Sequence, residues 1–156
     1  MRKAFTMIEI IFVIVIIGIL SAVAIPRLAA NRDDATSSMC AYEVGQLIHE
    51  ISNAYMDQGY RNFKNLTIAD ISNIKTSVDA TDSGIFEAPT AKVDIVGVNY
   101  YCEGESLMKL VGNLSGSEYN LTVEDKNPAT ATALKAAIKL RKVHEISAGG
   151  TRLYRL

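Results

Sequence analysis

Tryptophan is missing from this sequence, phenylalanine and tyrosine together make up only 7%, and three prolines and two histidines are spread over 156 residues. With aromatics so scarce and the hydrophobic share still 49%, aliphatic side chains supply the apolar content, and they crowd into the first thirty positions. Cysteine occurs twice, as Cys40 and Cys102, too few by themselves for a cysteine-built metal site or a disulfide-dense scaffold; a single bridge is the most they offer. The formal net charge is -1 and no run of like charges occurs, which removes the basic footprint of a dedicated nucleic-acid binder and the polybasic patch of a peripheral membrane protein. The length is that of one domain.

Charge is also missing locally. Between Glu9 and Arg27 there is no ionisable side chain, and a helix over that stretch rises roughly 25 Å, close to the hydrocarbon thickness of a bilayer. Arg2 and Lys3 precede it; positive residues stay on the cytoplasmic side, which places the rest of the chain outside the cytoplasm, where a disulfide can form. Two plain readings of such a segment are a secretory signal peptide, with Ala22 and Ala24 of "SAVAIP" as its small-x-small cleavage site, and a simple signal anchor. Neither has a use for Glu9. An ionisable group costs about 3 kcal/mol at the centre of a membrane helix, less near its end, and is normally paired. A third reading supplies the partner: a cut between Ala4 and Phe5 creates an α-amino group one helical turn before Glu9. Between chains packed side by side, the carboxylate of one then neutralises the amine of the next and sets their stagger, a use for which buried ion pairs are well suited.

The stretch "KAFTMIEIIFVIVIIGILSAVAIP" resembles the N-terminal segment of type IV pilins and the pseudopilins of type II secretion: a short basic leader, Phe-Thr-x-Ile-Glu, an aliphatic helix and a proline. The resemblance covers about the first 30 of 156 residues and its motif is highly specific. It implies that a prepilin peptidase cuts the Ala4–Phe5 bond and methylates the new amine of Phe5. Alanine stands where the family usually has glycine before the cut, which implies slower or enzyme-specific processing. It further implies that Phe5 and Glu9 act in assembly, and that the helix is weakened between Gly18 and Pro26, where family filaments are often unwound. From the residues alone, Pro26 removes a backbone donor and Gly18 lowers helix propensity by about 1 kcal/mol relative to alanine, and an ordinary kink at Pro26 is the alternative.

After Pro26 the chain reads as a long amphipathic helix to about Gln58. Cys40, Val44, Leu47, Ile51 and Tyr55 form one stripe at three- and four-residue steps, with Ile48 and Ala54 beside it, and Gly59 follows where a left-handed cap is wanted. In "NLTIADISNI", Thr67 and Asp70 have the spacing of a capping box. "SVDATDSGIFEAPTA" reads as a loop. Three strands are expected: "KVDIVGVNYYC", with Val96, Val98, Tyr100 and Cys102 on one face; a short "SLMKLVG"; and "SEYNLTVE", with Tyr119, Leu121 and Val123 on one face. "EGE" and "GNLSG" suit antiparallel connections. "DKNPATATALKAAIKLRKV" signals a second helix capped by Asn127, with Pro128 at its first position and Gly149 and Gly150 after it; "TRLYRL" is an edge strand or a tail. The expected organisation is a leader over 1–4, a hydrophobic membrane and assembly helix over 5–26, the amphipathic half of the stem over 27–59, and an α/β head over 60–156. The class is α+β: a helical stem packed on a small antiparallel sheet with a further C-terminal helix, a pilin-like arrangement. If the stem stripe meets the Val96–Cys102 face, Cys40 and Cys102 form a bridge; otherwise they are two small buried thiols.

Sites of chemistry are not expected elsewhere. "HEISN" at His49-Glu50 lacks the second histidine that a zinc protease needs four residues on, and His144-Glu145 reads as a polar pair at a helix C-terminus, where an imidazolium is favoured. No serine or cysteine has a nucleophile context and no glycine-rich phosphate loop occurs, so neither an enzyme nor a cofactor is expected. Some major pseudopilins bind calcium near the C-terminus, but Glu118, Glu124 and Asp125 match no calcium-loop spacing. Sequons begin at Asn65, Asn113 and Asn120, a pattern that recurs by chance. The resemblance implies a structural filament subunit of the bacterial inner membrane, single-pass, with the C-terminal domain outside the cytoplasm. Its partners would be copies of itself and other pilins, prepilin peptidase, the inner-membrane assembly platform and lipid; nucleic acid enters only if the filament is a DNA-uptake pilus. The sequence lacks the cysteine pair close to the C-terminus that brackets a surface loop in many true pilins, which favours a pseudopilin or minor pilin over a major type IV pilin. The rival from another class is a membrane-anchored periplasmic binding domain.

Overall fold

The computed structural model describes residues 5–74, 76, 97–116 and 118–156. The chain divides into two units, Met1–Ala35 and Thr36–Leu156. Its elements are α1 (Met7–Phe63), α2 (Ile68–Ile71), β1 (Val98–Cys102), β2 (Glu105–Ser115), β3 (Glu118–Asp125), α3 (Ala131–His144) and β4 (Thr151–Arg155). The four strands form one antiparallel sheet in the order β1-β2-β3-β4, and with the long N-terminal helix and the C-terminal helix they make an α+β fold of pilin-like kind. The expected loop "SVDATDSGIFEAPTA" and Val96 lie outside the described residues.

In the first unit the helix presents aliphatic side chains on every side. Phe5, Ile8, Phe12, Ile14, Leu20 and Ile25 are all exposed. Gly18 and Pro26 both sit inside α1 with helical backbone angles, although proline cannot donate to the carbonyl four residues earlier.

In the second unit the stem stripe is the floor of the core. Cys40, Val44, Leu47, Ile48 and Ile51 are buried and Tyr55 is half-buried, as the three- and four-residue spacing requires. The helix is interrupted at Gly59 as expected, its φ 65° and ψ 166° being a conformation closed to side-chain-bearing residues, and a further helical turn then runs to Phe63. The reason is packing. Phe63 is fully buried, with ring centroids 5.1 Å from Tyr55 and 4.7 Å from Tyr119, so the last turn is held by a trio of rings. Thr67 and Asp70 then start α2 as expected, the Thr67 amide and hydroxyl donating to Asp70 Oδ2 at 2.8 and 2.7 Å.

Cys102 pairs with Glu105 across a two-residue turn in which Glu103 and Gly104 both have positive φ, 54° and 82°, the geometry that matches the twist of a hairpin. A bulge beyond Tyr100 shifts the register so that Leu107 and Met108, consecutive residues, are both buried. On β3 the inward face is Tyr119, Leu121, Val123 and Asp125. Strand β2 is longer than expected: Gly112, Asn113, Leu114 and Ser115, read as a connection, pair with Leu121, Asn120, Tyr119 and Glu118. Cross-strand pairing overrides the turn propensity of "GNLSG". "TRLYRL" adds β4 at the edge beside β3.

The start of α3 is also corrected. Asn127 is not its cap and Pro128 is not its first residue; Thr130 is the cap and the helix begins at Ala131. Both carboxylate oxygens of Glu105 accept from the Ala129 and Thr130 amides, each at 2.7 Å, and hold that segment extended until Thr130. These bonds keep the Glu105 carboxyl below its ordinary pKa, the Ala129 amide first. Ala133, Ala136, Ala137 and Leu140 form the buried stripe, small residues that bring the helix close to the sheet. It stops with Glu145 in the left-handed region, φ 53°, without a glycine.

Asp125 ties these pieces together. Its side chain is fully buried; Oδ2 accepts from Arg141 Nη2 at 2.8 Å, from Arg141 Nε at 3.0 Å and from the Gly149 amide at 2.6 Å, while the same Arg141 Nη2 also donates to Asn127 Oδ1 at 2.8 Å. Breaking such a pair leaves a charge uncompensated. Asp125→Ala is therefore expected to destabilise the head by about 3–5 kcal/mol, whereas Glu124→Ala, which removes a half-exposed ion pair with Lys126, costs about 1 kcal/mol or less. Urea unfolding of the detergent-solubilised chain separates the two; equal midpoints would refute the role given to Asp125.

Candidate functional site

The N-terminal segment is built around one carboxylate in an apolar helix. Thr6 precedes the first helical residue and Glu9 stands three positions on. The Thr6 amide and hydroxyl each donate to Glu9 Oε2 at 2.7 Å, and the Glu9 amide approaches Thr6 Oγ1 at 3.4 Å. This is a capping box, in which side chains satisfy amides that the first turn leaves unpaired. Both of these bonds to the carboxylate fall on Oε2, so among the described residues Oε1 keeps its lone pairs. Around Glu9 lies an open apolar groove lined by Phe5, Ile8, Phe12 and Val13, residues that share its face at three- and four-residue steps. The segment thus displays an acceptor for a cation within a surface that water solvates poorly.

Phe5, the residue after the expected cut, is 82% exposed, and Ala4 lies outside the described residues. Thr6 was not singled out from the sequence, although Thr-x-x-Glu before an apolar run is the capping-box signature. The helix is long and apolar enough to cross a membrane, and its most apolar window is not buried by the rest of the chain.

Elsewhere the polar candidates are distributed among separate structural roles. Cys40 on α1 and Cys102 on β1 are joined by a disulfide, with Cα atoms 5.8 Å apart. The Tyr100 hydroxyl donates to Glu43 Oε2 at 2.6 Å; burial first, then this bond to a carboxylate, pushes the phenol pKa up, so Tyr100 stays a neutral donor. His49 is exposed, and its neighbour Glu50 accepts from Gln46 at 2.7 Å. Of the carboxylates weighed for calcium, Asp125 is engaged by Arg141 and Glu124 by Lys126. Among the described residues no group of three or more His, Cys, Asp or Glu has the arrangement of a metal site. Asn65 lies in an exposed turn, and Asn113 pairs directly with Asn120 across β2 and β3.

Residues 1–25 match the family model of the prokaryotic N-terminal methylation motif, the signature of type IV pilins and pseudopilins. No curated protein and no solved structure matches the chain. The motif supports a pilin-like or pseudopilin substrate of prepilin peptidase, and motif and fold together point to a structural, non-enzymatic protein. They fit an inner-membrane-anchored chain that assembles with other pilins.

His144, on the last turn of α3, faces several charged groups. Its Nδ1 is 2.7 Å from the Tyr154 hydroxyl, Nε2 is buried without a partner among the described residues, and Arg152 nearby is bound to Glu145 at 3.0 Å. Burial, followed by the positive charge of His49 and Arg152, holds its pKa below the ordinary value. A folded-state pKa below the unfolded one means that the stability contributed by the neutral ring is complete above about pH 6.5 and is lost as pH falls through the folded value. Unfolding midpoints of the wild type are expected to fall on acidification from pH 7.5 to 5 by more than those of His144→Gln. Parallel profiles would show that His144 carries no such linkage.

Proposed function

We propose that the chain is a filament-forming, pilin-like structural subunit. It is cut between Ala4 and Phe5 by prepilin peptidase, methylated on Phe5, held as a single-pass pool in the bacterial inner membrane with its head outside the cytoplasm, and assembled with other copies into a periplasmic or surface fibre. The observation that carries this reading is Glu9, an acceptor on an exposed apolar helix within a methylation motif. In the assembled state the freed amine of one Phe5 meets the Glu9 carboxylate of its neighbour, and Thr6 holds that carboxylate until then. The Gly18–Pro26 stretch, intrinsically weak as helix, is where the stem gives way on packing. The Cys40–Cys102 bridge requires an oxidising compartment, which agrees with a head outside the cytoplasm. It ties the stem to the first strand instead of closing a loop at the C-terminus, and this favours a type II secretion pseudopilin or a minor pilin over a major type IV pilin.

Mass spectrometry of the membrane-extracted protein is expected to find a first residue Phe5 bearing one methyl group. A chain beginning at Ile25 would instead identify a signal peptide and end the filament reading.

Glu9→Gln is expected to leave insertion and processing near wild type, because the side chain bonds to Thr6 within its own first turn and glutamine can accept the same bonds, and to abolish ordered fibres in sheared or cross-linked preparations. Wild-type fibre levels in that variant would mean that the helix is a mere tether, as for an anchored binding domain.

A further inference from the structure

The head carries two surfaces of opposite character. The last 26 residues contain Lys135, Lys139, Arg141, Lys142, Arg152 and Arg155 against the single acid Glu145. Several of these cations turn inward: Lys139 to Ser37 and Ser38, Arg141 to Asp125, Arg152 to Glu145. On the outer side of α3, Lys135, Ile138 and Lys142 follow one another at three- and four-residue steps. Ile138 is 54% exposed. This face is an apolar knob flanked by lysine.

Its counterpart is an open cleft between the distal part of α1 and α2. Ala54, Leu66 and Ile71 line its apolar part, and Glu50, Asp57 and Asp70 surround them. Each of these carboxylates receives only a neutral donor: Gln46 to Glu50, Gln58 to Asp57, Thr67 to Asp70. Among the described residues none of the three is in an ion pair, and Glu50 Oε2 is buried with no hydrogen-bond partner. A buried carboxylate oxygen in that state is costly until a cation reaches it. The cleft therefore fits a cationic, partly apolar helix face.

We propose that the outer face of α3 docks into the α1–α2 cleft of a second copy of the chain, Ile138 on Leu66 and Ile71, and Lys142 among Glu50, Asp57 and Asp70. The inference rests on the filament reading and adds to it a contact between heads. The two surfaces differ, so the contact is heterologous: each copy offers a knob to one neighbour and a cleft to another. Such contacts add subunits in an open line instead of closing a dimer. Lys139 reaches Ser38 whereas the cleft starts at Glu50, about 18 Å further along the stem at helical rise, and docking therefore staggers neighbours along the stem.

Charge exchange tests it in the full-length protein. Lys142→Glu and Asp57→Lys are each expected to reduce fibre yield about tenfold, since reversal places like charges together, with unchanged urea midpoints because both side chains are exposed. The double variant is expected to restore the yield to within about twofold. In wild-type fibres grown from mixed light and heavy isotope pools, carbodiimide is expected to join Lys142 to Asp57, Glu50 or Asp70 in peptides of mixed isotope. Single variants at wild-type yield, or a double variant no better than either, would overturn the docking while leaving the filament standing. Wild-type chains that form no fibres with Glu9 intact would overturn the filament reading, and the docking with it.

Discussion

The molecule depends on a surface that its own fold does not cover. From Phe5 to Leu28 the helix exposes aliphatic side chains on all sides, and covering each is worth about 1.5–3 kcal/mol. Summed along the run, this exceeds the about 5–15 kcal/mol by which an ordinary domain is stable. The described fold leaves that window unburied, and lipid or neighbouring helices can supply the cover. The placement of Glu9 follows from the same constraint: a carboxylate near the end of such a helix is tolerable because Thr6 satisfies one of its oxygens, while the other remains available to a cation from outside the chain.

The head, by contrast, is self-sufficient. Its core joins the stem stripe, three strands and the alanine face of α3, and its polar interior is organised by long-range bonds from single carboxylates: Glu105 sets where α3 begins, and Asp125 fixes where it lies against the end of β3 and the start of β4. The cation beside Asp125 is Arg141, covalently part of the chain, which gives this end of the sheet a fixed positive partner.

Local patterns made much of this legible. The stem stripe from Cys40 to Tyr55, the inward face Tyr119-Leu121-Val123 and the Thr67–Asp70 box each follow from spacing over a few residues, and Glu9 stands out as the one carboxylate at the edge of an uncharged run. What escaped depends on partners distant in sequence. Asn127 and Pro128 look like a helix start until Glu105, on another strand, captures the amides that follow; "GNLSG" looks like a turn until β3 pairs with it; and the extra helical turn beyond the break at Gly59 is held by Phe63 against Tyr119. Thr6 is a different case, since its box with Glu9 is local and follows from the Thr-x-x-Glu spacing alone.

The bridge between Cys40 and Cys102 has a mechanical consequence. The two residues are 62 positions apart in sequence, yet a pull transmitted along α1 reaches β1 at once through the sulfur atoms. The intervening length of chain, including α2, lies in parallel with that link. A head attached in this way takes traction from its stem directly into the sheet, by a path that does not run through the chain between the two cysteines.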